Sequence, residues 1–129
     1  MPTPGIDQPA SARRATLITS AGHALSHMYM LVFAAILIPL AGEFDLSLTG
    51  ITGIGSICFL LFGIGSLPAG VLTSITNPKF MLIIYFAGTA AAAAAIGLSR
   101  SIQSFTIFLT LLGAFASIYH AAGLTMITQ

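Results

Sequence analysis

The sequence has 129 residues, of which 57% are hydrophobic and only 5% are charged. Soluble domains carry about 25% charged residues, so this chain could not cover the surface of a water-soluble globule, and it is too hydrophobic to be disordered. The net charge of +1 provides no dense basic patch for nucleic acid. The single cysteine, Cys58, cannot form an internal disulfide, and no Cys/His spacing resembles a zinc site. We therefore expect an integral membrane protein with no nucleic-acid partner, metal or enzymatic activity.

The charged residues divide the chain into four long, uncharged and mostly apolar stretches. A bilayer core of about 30 Å needs roughly 20 apolar residues in a helix, and each stretch is long enough for one span. The sequence thus predicts an all-α, polytopic membrane protein. Residues 1–14, rich in Pro, Gly and Ser, are expected to form a disordered tail. Residues 15–129 are expected to form the membrane domain, with helices at about 17–41, 50–74, 80–99 and 104–126.

The connections between the predicted helices are short. Residues 43–47 join the first two helices, and Ser47 or Thr49 can cap the second. Residues 76–79 form a turn sequence with a proline inside it. Loops of this length predict that helices consecutive in sequence are antiparallel neighbours.

The distribution of basic residues predicts the orientation in the membrane. Arg13 and Arg14 precede the first helix, Lys79 lies between the second and third, and Arg100 lies between the third and fourth. Because loops rich in Lys and Arg stay in the cytoplasm, we expect a cytoplasmic N-terminus in a multi-pass protein of the cell (inner) membrane. That orientation places three basic residues inside and one outside.

Small residues predict close helix packing. The second helix contains two small-xxx-small pairs, Gly65/Ala69 and Ser66/Gly70, a spacing that lets helix backbones approach closely in lipid. We expect all four residues to lie at a helix–helix contact. The third helix contains an alanine run at 90–95, which indicates a structural role.

The polar residues that are candidates for function occur on the first and fourth predicted helices. His23 and His27 are one helical turn apart and share a face. At 1.5 Å per residue, His120 lies at about the same depth as His23, counted from the cytoplasmic ends of their helices. Intramembrane ionisable residues mark functional sites by default, although a neutral histidine can also bond a neighbouring carbonyl. We expect His27 and His120 to face a common water-accessible cavity.

Longer motifs surround these residues. Helix one holds Gly22-His23-Ala24-Leu25-Ser26-His27-Met28-Tyr29, followed by Pro39 and Glu43-Phe44-Asp45-Leu46-Ser47, and helix four holds Ser117-Ile118-Tyr119-His120-Ala121-Ala122-Gly123. The former resembles the start of a major facilitator superfamily transporter, in particular the fosmidomycin-resistance-like and related efflux members. The latter is similar to their S-x-Y-H-P-A-G pattern, with Ala121 in place of proline.

The resemblance implies a secondary transporter that exports a small organic molecule by alternating access. The four helices would be part of the N-terminal six-helix bundle, the chain a fragment, and the remaining helices of the transporter its partners beside the lipid bilayer. It also implies that substrate or protons contact His23, His27, Tyr29, Tyr119 and His120, with no cofactor. Gly70 and Lys79 would belong to the gating loop, where the family carries the motif G-x-L-x-D-R-x-G-R-[RK] and only Gly70, Leu72 and Lys79 of this chain agree with it. Leu109 stands about where proton-coupled antiporters of the family carry an intramembrane arginine.

Two other functions are compared with transport on the same residues. A haem-binding anchor of a respiratory complex, with His27 and His120 as axial ligands, is an alternative because histidine is an ordinary haem ligand. A Soret band in the purified protein would distinguish it from a transporter. A small four-helix multidrug exporter needs an intramembrane carboxylate, and none of the predicted spans contains one.

The orientation can be tested by cysteine accessibility. We expect Lys79→Cys to be labelled by an impermeant thiol reagent only from the cytoplasmic side and Arg100→Cys only from the outside, because of the basic-residue bias. The reverse labelling pattern would overturn the predicted topology.

Overall fold

A computed structural model describes residues 10–128, which form helices joined by short loops. The helices are α1 (Ala10–Ala35), α2 (Leu37–Glu43), α3 (Leu48–Ile75), α4 (Pro78–Gly97), α5 (Ile102–Ala116) and α6 (Ile118–Thr128). Four helical segments are long and apolar enough to cross a membrane: Ala10–Ala35, Leu48–Ile75, Pro78–Gly97 and Ile102–Ile127. The prediction of an all-α chain with four candidate spans is therefore confirmed.

The first helix begins earlier than expected. It starts at Ala10, so residues 10–14 of the predicted disordered tail are helical, while residues 1–9 lie outside the described part of the chain. Alanine and arginine, which dominate the segment 10–15, are strong helix formers. The Pro, Gly and Ser content of residues 1–14 as a whole predicted disorder and did not indicate the helical preference of residues 10–15.

The predicted first span is two helices rather than one. A turn at Ile36 separates α1 from α2. Pro39 follows three residues later, lacks an N–H group, and its ring clashes with the carbonyl four residues before it, that of Ala35. The helical hydrogen bonds resume on both sides, from the Ile36 N–H to the Val32 oxygen and from the Leu40 N–H to the Ile36 oxygen.

The predicted fourth span is also interrupted, at Ser117. The Ser117 hydroxyl donates to the Ala114 carbonyl at 2.7 Å, and its N–H donates to the Gly113 carbonyl at 3.1 Å. Serine hydroxyls that bond back to the preceding turn often bend helices. Residue 121 is alanine, which has an N–H group. The break at Ser117 is therefore not caused by a proline at position 121.

The loop residues act as helix caps. Ser47, and not Thr49, caps α3, since its side chain accepts a hydrogen bond from the Gly50 N–H at 3.1 Å. Asn77 caps α4 by accepting from the Lys79 N–H at 2.9 Å, with Pro78 as the first helical residue. In the loop before α3, Asp45 adopts a left-handed conformation with φ of 50°, which short polar side chains tolerate.

The fourth candidate span lies at the centre of the array. In an 18-residue apolar window of this span 44% of the residues are buried, compared with 17–28% in the corresponding windows of the other three spans. Its first part, α5, packs on α3 and α4, and its second part, α6, packs on α1, α3 and α4. The short loops do make consecutive spans antiparallel, but α3 and α4 meet mainly through the central span.

Close helix contacts occur at some of the predicted small residues and not at others. A Cβ atom added to Gly65 would lie 2.9 Å from the Ser117 Cβ, and Ala69 is buried. Gly113 on α5 lies directly against the Cys58 backbone carbonyl of α3. A Cβ at Gly70 would meet nothing within 4 Å, so the prediction that Gly70 lies at a packed contact is wrong.

Substituting these glycines tests the packing. We expect Gly113→Ala to lower the free energy of unfolding by about 1–3 kcal/mol, because the added methyl group would overlap a backbone carbonyl that cannot rotate away. Gly70→Ala is the matched control and should change stability little. The free energy of unfolding of both variants is measured in mixed micelles. Equal values for the two variants would show that the α3–α5 contact is looser than described.

Candidate functional site

The inward side of α1 is a stripe of mostly small residues. Its buried members are Thr19, Gly22, Ser26 and Phe33. The first three recur at helical spacing, and their small side chains let the rings of neighbouring helices approach the α1 backbone. A Cβ added to Gly22 would lie 2.6 Å from the Tyr119 ring, so only glycine leaves room for that ring.

Two tyrosine hydroxyls attach α1 to the rest of the array. Tyr85 of α4 donates to the Gly22 carbonyl at 2.9 Å. Tyr119 of α6 donates to the Thr19 carbonyl, one turn earlier. Both tyrosines are buried, and their ring centroids lie 5.3 Å apart. Because a buried hydroxyl without a partner is costly, these bonds specify where α1 lies against α4 and α6.

The three histidines lie together beside this contact. The ring centroid of His23 is 4.6 Å from that of His27 and 6.0 Å from that of His120. The centroids of His27 and His120 are 6.3 Å apart. The α1 and α6 helices are therefore adjacent and bring these imidazoles together, and the expectation that His27 and His120 face a water-accessible cavity stays a prediction. We call the surface formed by His23, His27 and His120 the histidine face.

The histidine face is open on one side and aromatic on another. All three histidines are exposed in the described chain, and the Phe62 ring of α3 lies 5.7 Å from that of His120. The described charged residues lie near helix ends, away from the face: Arg13, Arg14, Lys79, Glu43, Asp45 and Arg100.

This arrangement can hold and transfer protons. Each imidazole can donate and accept a hydrogen bond, and histidine is the side chain whose charge normally changes near neutral pH.

The remaining predicted site residues occupy different places. Tyr119 lies 5.8 Å from His23 by ring centroids, but its hydroxyl is engaged by α1. Tyr29 is half-buried and packs against an apolar cluster to which α1, α2, α3, α4 and α5 contribute. Gly70 and Lys79 lie near the end of α3 and the start of α4, in the region of the connection between these helices and away from the histidine face.

Sequence reasoning missed the role of Tyr85, which was included in a helix assigned only to packing. The available signal was a tyrosine within an apolar span, because its hydroxyl needs a partner that lipid cannot provide. In the described chain, the Ser26 hydroxyl is the one buried side-chain polar atom that has no hydrogen-bond partner. Ser26 precedes His27 in the sequence and lies on the buried side of α1.

Metal ligation is not supported by this geometry. Across residues 10–128 no group of three or more His, Cys, Asp or Glu side chains is arranged to hold a metal ion, and this includes the three imidazoles. No known protein family, curated protein or solved structure matches this chain.

Proposed function

We propose that this chain is the membrane domain, or part of it, of a secondary transporter of the major facilitator type that exports a small organic molecule by alternating access. The observation on which the proposal rests is the histidine face: three imidazoles from two spans, within 6.3 Å of one another by ring centroids, on an exposed side of an otherwise apolar array. The resemblance of the two motifs that contain these histidines supports the same function.

The imidazole N–H groups of the histidine face are better solvated by water than by lipid. In hydrocarbon the imidazole N–H groups would have no partner, and each unsatisfied group would cost free energy. In an aqueous path the same groups are solvated and exchange protons. A face of three imidazoles on the first and last spans is therefore best explained as the wall of a water-filled passage, closed on its other side by further helices.

The proposed roles follow from the geometry. His23, His27 and His120 contact substrate or protons, because their rings are exposed and share one space. Tyr119 positions α1 through its hydroxyl. Tyr29 contributes from the edge of the apolar cluster, and Gly70 and Lys79 belong to the connection that moves when access alternates. We further propose that the N-terminus is cytoplasmic and that the protein lies in the cell membrane.

The haem alternative fits these residues poorly. A macrocycle between His27 and His120 would need an open slot around the midpoint of the two rings. The His23 ring lies 4.6 Å from one of them and 6.0 Å from the other, and it therefore flanks that slot. The Tyr119 ring is 5.5 Å from His120. The rings of His23 and Tyr119 occupy the space that a haem would need. An aqueous passage therefore explains the histidines better than haem binding does.

The proposal predicts that His27→Ala and His120→Ala impair efflux. Cells expressing the transporter that contains this chain are screened with a panel of small organic antibacterials, and efflux of a compound to which they become resistant is measured from pH 5.5 to 8. Each variant should lower the initial rate by about tenfold or more, as expected when a hydrogen bond to a charged group is lost, and should alter the pH dependence.

The matched control is Met28→Ala, which shortens an exposed side chain next to His27 on the same helix. This variant should export at the wild-type rate and with the wild-type pH profile. Unchanged rates and unchanged pH profiles in both histidine variants would reduce the histidines to packing residues and contradict the proposed function.

A further inference from the structure

Two adjoining cavities lie at the end of the array where α1 begins, α4 begins and α6 ends. One has a volume of about 400 Å³ and the other about 940 Å³. Ser11, Ala15, Lys79 and Met126 line both of them. This end is remote along the spans from the loop that contains Glu43 and Asp45, and the basic-residue bias predicts it to be cytoplasmic.

The smaller cavity has two cations at its rim and apolar side chains below them. Arg14 of α1 and Lys79 of α4 line it from opposite helices. One turn further along α1 lies Ile18, and further along α4 lie Leu82, Ile83 and Phe86, all of which line the same cavity. The cleft is thus basic where the helices begin and apolar toward the membrane interior.

The larger cavity continues the cleft toward the aqueous phase. Its polar lining residues are Ser11, Thr16, Thr76 and Asn77, together with Lys79. No described carboxylate lines either cavity, and the carboxylates of the described residues, Glu43 and Asp45, lie at the opposite end. Arg14 and Lys79 therefore face the cleft without an acidic partner among its lining residues.

We propose that this cleft binds an anionic phospholipid from the cytoplasmic leaflet. The phosphate lies between Arg14 and Lys79, and one acyl chain follows Ile18, Ile83 and Phe86 along the groove between α1 and α4. Two cations with no carboxylate among the described residues that line the cleft match an anionic headgroup, and basic pockets between transmembrane helices on the cytoplasmic side are suited to such lipids. The apolar lower wall distinguishes a lipid from a free phosphate ion, which would leave that wall uncovered.

The proposal does not depend on the histidine face, because no histidine lines either cavity, although Lys79 also belongs to the connection proposed to move during transport. Arg13 provides a matched control, because it precedes Arg14, has the same charge and lines neither cavity. Replacing it removes one charge from the same membrane surface and leaves the cleft intact. Specific binding and general attraction to the surface therefore predict different results.

The test measures lipid retention by the purified chain with native mass spectrometry. The chain is incubated with dioleoylphosphatidylglycerol, with dioleoylphosphatidylcholine, or with dioleoylphosphatidylglycerol plus millimolar inorganic phosphate. We expect retention of the glycerol lipid over the choline lipid and no displacement by phosphate. Arg14→Gln and Lys79→Gln should each weaken retention about fivefold, and Arg13→Gln should leave it unchanged.

Three results would overturn the proposal: equal retention of the two lipids, displacement of the lipid by inorganic phosphate, or equal losses in Arg13→Gln and Arg14→Gln. Ile83→Asn provides a second arm, since Ile83 is an exposed wall residue whose replacement leaves both cations in place. The Ile83→Asn variant should retain less of the glycerol lipid than the wild type. The circular dichroism of each variant is compared with that of the wild type, so that loss of helix is distinguished from loss of binding.

Discussion

The hydrogen bonds from Tyr85 and Tyr119 to the α1 backbone are the interactions on which the arrangement of the site depends. The α1 helix has few large buried side chains, and its inward stripe consists mainly of small residues. The position of α1 is therefore determined by the side chains that form hydrogen bonds to its backbone. Tyrosine hydroxyls from α4 and α6 reach the carbonyls of Gly22 and Thr19, and in a membrane interior such a hydroxyl has no water as an alternative partner. Interhelical hydrogen bonds of this kind contribute about 1 kcal/mol each.

The histidine face follows from this contact by helical geometry. Successive residues are about 100° apart around a helix, so the residue after an inward-facing one lies beside the contact. His23 follows Gly22, and His120 follows Tyr119. Once Tyr119 and Gly22 pack against each other, their neighbours project to the same side of the α1–α6 contact. The site therefore needs no loop to position it, because two rigid helices and their contact are sufficient.

Much of the fold could be predicted from the sequence, since charges cannot remain in the bilayer core and their spacing delimits the spans. The adjacency of His23 and His120 was also predictable, from their equal depth and from the resemblance of the two motifs. The breaks at Ile36 and Ser117 were not predicted, because apolar periodicity runs through them and only a proline and a serine back-bond mark them. The open surroundings of Gly70 were not predictable either. A small residue permits close packing, but which helix lies opposite it is decided by the whole array.

The central claim is that two tyrosine hydroxyls hold α1 in place and thereby bring the three imidazoles together. The chain contains three histidines, so histidine-specific isotope labelling reports on the face alone. The most direct measurement is a solid-state NMR correlation spectrum of the labelled protein in bilayers, recorded for the wild type and for the Tyr85→Phe/Tyr119→Phe double variant. The account predicts cross-peaks from the His120 ring to the rings of His23 and His27 in the wild type, and their loss or marked weakening in the double variant. Absence of these cross-peaks in the wild type, or their undiminished presence in the double variant, would contradict it.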